Sequence, residues 1–145
     1  MRLAAVDHGR KRVGLAVCDA LGITVRGLDT VVRTGTADDA VLAVAKAIRE
    51  AGGVERILVG LPLHDDGRES EMSAEARAFG EALGRALSLP VVLFDETLTS
   101  WEAEEELKAR GRSIRDAQRS GEVDRAAAVA LLRSYLRHLE SGGGP

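Results

Sequence analysis

Acidic residues at three distant points of the sequence each adjoin an apolar segment. Asp7 follows one apolar run, the pair Asp95 and Glu96 follows another, and Asp124 lies near the start of an Ala-rich segment. A carboxylate at the end of a buried strand is costly unless it is paired with a cation. Carboxylates that converge in a fold also repel one another unless a metal ion lies between them. The pattern therefore predicts a site for divalent metal ions.

The chemistry that such a site supports is hydrolysis of a phosphodiester bond. Magnesium and manganese both prefer carboxylate oxygens. One ion held by Asp7 and Asp124 would activate the attacking water, and a second ion about 3.5–4 Å away, shared with Glu96, would stabilise the leaving oxygen. Taken singly, Asp7 is equally well explained as a turn-capping residue and Asp124 as a helix N-terminal acid. Together and in this order they favour a two-metal site.

Asp95 and Glu96 are neighbours, and neighbouring residues of a strand face opposite ways. Only one of them is therefore expected to face Asp7. If Val92 and Phe94 share a face, Glu96 belongs with them, but the sequence does not identify which face holds the site. The longer side chain of Glu96 favours it as the catalytic metal ligand. Asp95 is the alternative, and it would otherwise orient the adjacent loop or bind metal through a water molecule.

Basic residues flank the predicted metal site. They suit a phosphate backbone, although solvated loop charges are the commoner explanation for a charge run. A glycine among them would let the backbone approach a phosphate closely. The residues predicted to bind substrate are Gly9, Arg10, Lys11, Arg12, Arg110, Arg112, Arg115 and Arg119. His8, in contrast, is interpreted as a surface turn histidine rather than a catalytic helper.

The elements that must position these residues follow from the apolar periodicity. Three runs joined by short connections predict an antiparallel meander, and two later runs, each after a helical segment, predict parallel strands. The predicted strands are residues 2–6, 12–18, 23–32, 56–59 and 91–94, and the predicted helices are residues 38–51, 71–87, 99–109 and 124–139. The fold class is therefore α/β, with a five-stranded mixed sheet covered by helices on both faces.

Length and composition limit the function classes. With 145 residues, 45% hydrophobic and 30% charged, the chain is expected to form one domain over residues 1–140, with a disordered tail at 141–145. The net charge of −3 argues mildly against a nucleic-acid partner, although local basic clusters can outweigh the total. The single cysteine, Cys18, excludes an internal disulfide. Because no apolar run approaches the length of a membrane span, we expect no membrane partner and a cytoplasmic location.

Several short motifs, each weak alone, occur in one order along nearly the whole chain. They are Asp7-His8-Gly9, Arg12-Val13-Gly14-Leu15-Ala16-Val17, Val59-Gly60-Leu61-Pro62-Leu63, Asp66-Gly67, Asp95-Glu96-Thr97-Leu98-Thr99-Ser100 and Val123-Asp124-Arg125-Ala126-Ala127-Ala128. Together they resemble the YqgF/RuvX family. The resemblance implies an RNase H-like fold, related to RuvC-type Holliday junction resolvases, and a nuclease that processes the 5′ end of pre-16S rRNA in ribosome biogenesis. The alternative that it implies is a Holliday junction resolvase-type DNA endonuclease.

Two positions depart from the pattern of that family. Thr97 stands where the family usually carries an arginine, so a substrate contact made by that arginine does not transfer to this chain. Related resolvases also place an acid at the end of the fourth strand, where this chain has Gly60-Leu61-Pro62. The second metal ligand must therefore come from Asp95 or Glu96.

Functions of other classes compete with the nuclease. Asp-x-Gly followed by a hairpin is also typical of actin-like and Hsp70-like ATPases, but those proteins have two such domains and this chain has the length of one. The stronger competitor is a non-catalytic module that binds RNA or a ribosomal partner. The expected partners are therefore RNA or branched DNA, a ribosomal precursor particle and, for junction resolution, a second copy of the chain in a two-fold homodimer.

Overall fold

A computed structural model describes residues 1–63, 68–95, 109, 111 and 121–142 of the chain. Within these residues, six strands form one mixed sheet and helices pack against both of its faces. The strands are β1 (Leu3–His8), β2 (Arg12–Cys18), β3 (Val25–Gly27), β4 (Val31–Val32), β5 (Arg56–Leu61) and β6 (Val91–Asp95), and the helices are α1 (Ala37–Ala51), α2 (Glu71–Leu87) and α3 (Glu122–Glu140).

The sheet has an antiparallel half and a parallel half. Its strand order is β3-β2-β1-β5-β6, and β4 pairs with the start of β2. β1 runs antiparallel to β2 and parallel to β5, which in turn runs parallel to β6. The chain reaches β5 after α1 and β6 after α2, as expected for parallel strands that need a crossover. The predicted α/β class, with a meander followed by two parallel strands, is confirmed.

Alternation along the strands assigns each residue to one of two cores. Val6 of β1 packs in the core formed with α1 and α2, whereas Ala5 packs in the core formed with α3. We call the two sides of the sheet the α1/α2 face and the α3 face. Because successive side chains of a strand point to opposite sides, Asp7 belongs to the α3 face and His8 to the α1/α2 face.

Both helices of the α1/α2 face begin with a capping box. At α1, Thr36 Oγ1 accepts a hydrogen bond from the Asp39 backbone N–H, and Asp39 Oδ2 accepts one from the Thr36 backbone N–H. Ser70 and Ser73 form the same reciprocal pair at the start of α2. These bonds satisfy N–H groups that the first turn of a helix leaves without partners. The bounds of α2 are those predicted, and α1 begins one residue earlier than predicted.

The predicted third strand, residues 23–32, is divided into β3 and β4. The connection between them bonds to the start of α3, although the Leu28 backbone N–H still donates to the Leu15 carbonyl oxygen of β2. Arg125 Nε donates to the Leu28 carbonyl oxygen, and Thr30 Oγ1 donates to the Gly121 carbonyl oxygen. The described sheet therefore has six strands where five are predicted.

Three strands also extend further at their C-terminal ends than predicted. β1 and β5 are each longer there by two residues and β6 by one. Asp7 consequently lies within β1 rather than in the turn after it, and it pairs with Gly14 of β2. The last helix extends the predicted range at both ends. The predicted helix at residues 99–109, apart from its last residue, lies outside the described residues.

Candidate active site

Asp7 and Asp124 are brought together at the C-terminal end of β1. Asp7 pairs with Gly14 across the antiparallel ladder, so both positions belong to the α3 face. The backbone of Asp124 lies directly against Gly14, where an added Cβ atom would overlap the Asp124 carbonyl oxygen. The missing side chain at position 14 thus lets the first turn of α3 approach the residue opposite Asp7. Both acids are half-buried.

Arg12 forms an ion pair with Asp124 at the same place. Its Nε donates to Asp124 Oδ2 at 3.2 Å, and the two side chains are 33% and 22% exposed. Arg12 has the same strand parity as Gly14 and therefore also belongs to the α3 face. The Asp124 carboxylate is thus balanced by one positive charge that comes from a neighbouring strand.

Hydrogen bonds hold the first turn of α3 over the sheet. Arg125 reaches the β3–β4 connection twice, from Nε to the Leu28 carbonyl oxygen at 3.0 Å and from Nη2 to Asp29 Oδ1 at 3.1 Å. Thr30 Oγ1 donates to the Gly121 carbonyl oxygen at 2.7 Å. Gly121 precedes the helix with a φ of 77°, a conformation that favours glycine. These contacts fix the turn that carries the candidate ligand of α3.

Asp95 ends β6 and is exposed. In the same strand, Phe94 packs in the core of the α3 face and Leu93 packs in the core of the α1/α2 face. Alternation therefore places Asp95 with Leu93, on the face opposite Asp7. Asp95 thus differs in strand parity from Asp7.

Two of the three predicted metal ligands are described. Glu96, the third, lies outside the described residues. In the described part of the chain, no three His, Cys, Asp or Glu side chains are grouped closely enough to hold a metal ion. Asp7 and Asp124 nevertheless fit a hard cation, because both offer carboxylate oxygens and one of them already has a cationic partner.

The turn between β1 and β2 carries the first predicted basic cluster. Arg10 bonds the Glu75 carboxylate of α2 through Nε and Nη2, both at 3.0 Å, while Arg12 bonds Asp124 of α3. Lys11 is exposed. The cluster therefore spreads over both faces of the sheet. The other residues predicted to bind substrate, which lie outside the described residues, are Arg110, Arg112, Arg115 and Arg119.

His8 lies on the α1/α2 face and is only 8% exposed. Its ring centre is 4.9 Å from that of Phe79, and its Nε2 accepts a hydrogen bond from Arg33 Nη1 at 2.9 Å. Burial lowers the pKa of His8, and the charge of Arg33 lowers it further. The interpretation as a surface turn histidine is therefore wrong. The alternation that buries Val6 indicates a buried His8 once β1 is continued by two residues.

Arg33 and Phe79 are the residues around His8 that sequence patterns did not single out. Arg33 follows β4, and its Nη1 also donates to the Gly9 carbonyl oxygen at 3.0 Å. Gly9 itself lies so close to the Arg12 carbonyl oxygen that a Cβ atom would overlap it. No periodicity links these positions, because the contacts join segments that are far apart in the chain.

Comparison with known proteins gives concordant results. The family model described as RuvX, Holliday junction resolvase, matches residues 1–138. A protein of Anaeromyxobacter dehalogenans (strain 2CP-C) is 48% identical over 136 residues, which cover 94% of this chain and 96% of that protein. A protein of Synechococcus elongatus is 44% identical over 131 residues, covering 90% and 85%. Both relatives carry the name "Putative pre-16S rRNA nuclease".

Solved structures share the fold at low sequence identity. RuvC of T. thermophilus in complex with a Holliday junction substrate has a TM-score of 0.59 and 17% identity, over 98% of this chain and 96% of that one. The fowlpox virus Holliday junction resolvase has a TM-score of 0.53 and 13% identity, over 96% and 99%. The predicted RNase H-like fold is thereby confirmed. Among the described helices, none is long and apolar enough to cross a bilayer.

Proposed function

This chain belongs to the RuvX family, a family of nucleases that act on nucleic acid, and we propose that its active site is built on Asp7, Asp124 and Glu96 and cleaves pre-16S rRNA. The observation that carries the proposal is the packing of the Asp124 backbone on Gly14, opposite Asp7. It explains how two acids separated by most of the chain meet on one face.

Divalent cations fit the donor set of this site. Nucleases of the RNase H-like type generally use divalent metals, and carboxylate oxygens suit Mg²⁺ or Mn²⁺. Such ions, when bound, supply Lewis-acid stabilisation and a more acidic water. Asp7 and Asp124 would hold them, and a pair of ions would need a third carboxylate.

Glu96 is the third carboxylate that we propose. Phe94 packs on the α3 face and Leu93 on the other, so alternation continued past Asp95 predicts Glu96 on the face of Asp7. Asp95 would then orient the neighbouring segment rather than share the same ion. The proposed catalytic set is therefore Asp7, Glu96 and Asp124, with Asp95 in a supporting position.

Arg12 would contribute to substrate binding. Its guanidinium pairs with Asp124, and a cation that takes over this carboxylate frees the guanidinium. Arginine matches the geometry of a phosphate with two parallel N–H donors. We therefore propose that Arg12 moves from Asp124 to the phosphate of the bound strand. Further contacts along the phosphate backbone of the substrate would come from Gly9, Arg10, Lys11 and the four arginines between residues 110 and 119.

The names of the curated relatives favour RNA over branched DNA as the substrate. In that case a ribosomal precursor particle is the partner, and one copy of the chain suffices. The family description favours the alternative, a four-way junction. Symmetric cleavage of a junction needs two active sites and hence a two-fold dimer.

The test is cleavage of end-labelled substrates with Mg²⁺ or Mn²⁺. A precursor fragment spanning the 5′ end of 16S rRNA, a single-stranded RNA and a four-way DNA junction are incubated with wild type, Asp7→Asn and Glu81→Gln, a control acid exposed on α2. We expect metal-dependent cuts in the precursor that disappear in Asp7→Asn and persist in the control. Preferred cleavage of the junction would replace the RNA assignment, and binding without any cleavage would favour the non-catalytic module.

A further inference from the structure

A cavity of about 510 Å³ opens on the α1/α2 face, on the opposite side of the sheet from the candidate active site. Its volume lies within the range of small-ligand sites, about 300–1,000 Å³. The wall is part apolar and part charged. It is formed by residues of α1 and α2 together with His8, Arg10 and Arg33. We propose that this cavity binds an unstacked nucleobase.

Arg33 presents a fixed guanidinium to the cavity. Its Nη1 donates both to His8 Nε2 at 2.9 Å and to the Gly9 carbonyl oxygen at 3.0 Å, and its Cζ lies 5.7 Å from the centre of the Phe79 ring. Both hydrogen bonds use the Nη1 group. Among the described residues, no acceptor lies within hydrogen-bond distance of its Nε or Nη2 group. The remaining donors are thus held in place for an acceptor on a ligand.

His8 lies in the same wall and fixes the position of Arg33. Because arginine only donates, His8 Nε2 must accept, and the ring proton is then on Nδ1. Nδ1 is buried and has no acceptor in the described part of the chain. Because Nδ1 is buried, the donors that face a ligand in the cavity are those of Arg33, which His8 Nε2 holds in place.

The charges around the cavity favour an uncharged ligand over a phosphate. Two cations, Arg10 and Arg33, face two carboxylates, Glu75 and Asp38, so the charged lining residues sum to zero. Arg10 is moreover engaged by Glu75 through two hydrogen bonds. An anion would gain little from such a set, whereas a polar heterocycle can use both donors and acceptors.

The apolar part of the wall suits a flat ring. It consists of the Phe79 side chain and small or β-branched side chains of α1 and α2, namely Ala37, Val41, Ala78 and Ala82. Proteins recognise unstacked bases through the same combination of aromatic or guanidinium surfaces and hydrogen bonds to the base edge. A nucleobase therefore matches the cavity in polarity and charge.

The base can come from the substrate strand or from a free nucleotide. His8 follows Asp7 directly, so the cavity and the carboxylates share one edge of the sheet while lying on opposite faces. A nucleic-acid strand whose phosphate lies at Asp7 could place a neighbouring base over this edge of the sheet. That source rests on the proposed function, whereas binding of a free nucleotide does not.

Binding without metal tests the cavity independently of cleavage. Short single-stranded RNAs carrying 2-aminopurine at successive positions are titrated with the protein in a chelator, and their fluorescence is recorded. Ala78→Leu and Ala37→Leu each narrow the cavity from an exposed helix position, on α2 and α1 respectively. The control is Ala74→Leu, exposed on α2 one turn earlier and outside the cavity.

If the base belongs to the strand, one labelled position should change its fluorescence on binding. Because stacking of one base contributes about 1–3 kcal/mol, either narrowing variant should weaken binding about tenfold, as should an abasic nucleotide at that position. Combining a narrowing variant with the abasic RNA should cause no further loss of binding affinity. The control variant should bind as wild type does.

Free adenosine and AMP, titrated by NMR, form the second arm. Binding of both with equal affinity, blocked by Ala78→Leu while RNA binding is unchanged, would support the nucleobase site and reject the strand as its source. If the folded narrowing variants alter neither RNA nor nucleoside binding, the proposal is overturned. These binding measurements are made without metal, so they remain valid even if the protein or a variant does not cleave RNA.

Discussion

The two faces of the sheet differ sharply at the C-terminal end of β1. On the α3 face, half-buried Asp7 lies opposite Gly14, and Asp124 pairs with Arg12. On the α1/α2 face, His8 is buried beside an aromatic ring and a cavity. Adjacent residues of one strand enter these two environments because successive side chains point to opposite sides.

The difference indicates which role each face can take. A half-buried carboxylate that pairs with a protein cation can exchange that cation for a metal ion. A guanidinium held beside an apolar wall instead suits the recognition of an uncharged ring. Substitutions on one face should therefore change one function and leave the other nearly intact, which makes the comparison testable.

Asp124→Asn should give the largest effect. Loss of a residue that merely supports a metal ligand lowers metal affinity or activity about 10–100-fold, so loss of a ligand itself should reduce cleavage more than about 100-fold. Binding of the 2-aminopurine RNA without metal should not weaken, because the cavity lies on the other face and the substitution leaves Arg12 free to contact phosphate. Single-turnover cleavage and the fluorescence titration measure the two quantities.

The matched control for this variant is Glu122→Gln, an acid in the same first turn of α3. It removes one charge near the helix N-terminus without removing a proposed ligand. Cleavage should remain within a few-fold of wild type, since a helix-terminal charge contributes only about 0.3–1 kcal/mol. Equal losses in both variants would show that Asp124 acts through helix charge and not as a ligand.

Replacing a glycine by alanine should destabilise the protein more on the α3 face than on the α1/α2 face. A Cβ atom on Gly14 would overlap the backbone of Asp124, so Gly14→Ala must displace the first turn of α3. We expect the free energy of unfolding to fall by about 1–3 kcal/mol or more, with cleavage impaired as well. Urea unfolding and single-turnover cleavage measure these changes.

Gly80→Ala is the counterpart on the α1/α2 face. Its added Cβ would lie 2.8 Å from Val59 Cγ2, which is a side chain rather than backbone. Alanine also favours the helix over glycine by about 1 kcal/mol, which offsets part of the crowding. Gly80→Ala should therefore destabilise less than Gly14→Ala. The reverse order would mean that α3 adapts more easily than Val59 does.

His8 should make stability depend on pH. Its pKa is lowered in the folded state, first by burial and then by Arg33, so the unfolded state takes up a proton more readily. The stabilising contribution is complete above the unfolded pKa of about 6.5 and is lost as pH falls through the lower, folded value. Wild type should thus lose stability on acidification.

Urea unfolding at about pH 7.5 and about pH 5 measures this loss. In His8→Gln the decrease between the two pH values should be smaller, because the titrating group is gone. Equal decreases in wild type and His8→Gln would show that His8 is readily protonated in the folded protein.

Apolar periodicity was sufficient to predict most of the architecture. The runs that form β1, β2, β5 and β6 and the capped helix α2 appear where they are predicted, because each buries a continuous apolar face. The split between β3 and β4 was not predictable. It depends on hydrogen bonds from Arg125 and Thr30 to segments about a hundred residues away, and local sequence patterns do not indicate such contacts.

Part of the candidate site was also predictable from the sequence. Asp7 and Asp124 stand out because acids next to buried segments are costly. Their meeting place depends on Gly14, whose importance lies in a close approach of the α3 backbone that only tertiary structure reveals. The pairing of His8 with Arg33 likewise joins two segments without a shared pattern.

The smallest effect is expected from Arg12→Gln, which removes the cation beside Asp124. A part-exposed ion pair contributes about 0–1 kcal/mol, so release of the carboxylate should tighten Mn²⁺ binding by up to about fivefold. The same variant should bind RNA more weakly, because it lacks the guanidinium proposed to contact phosphate. Electron paramagnetic resonance of free Mn²⁺ measures metal affinity without any cleavage.

Arg10→Gln is the matched control, since Arg10 occupies the same turn but pairs with Glu75 on the opposite face. Its Mn²⁺ affinity should equal that of wild type. If Arg12→Gln weakened Mn²⁺ binding, the guanidinium would be needed to hold Asp124 in place rather than to compete with the metal. If both variants tightened binding equally, the effect would come from overall charge. Tighter Mn²⁺ binding in Arg12→Gln alone would instead show that the metal binds on the α3 face. The Arg12–Asp124 ion pair would then be the arrangement of the site without metal.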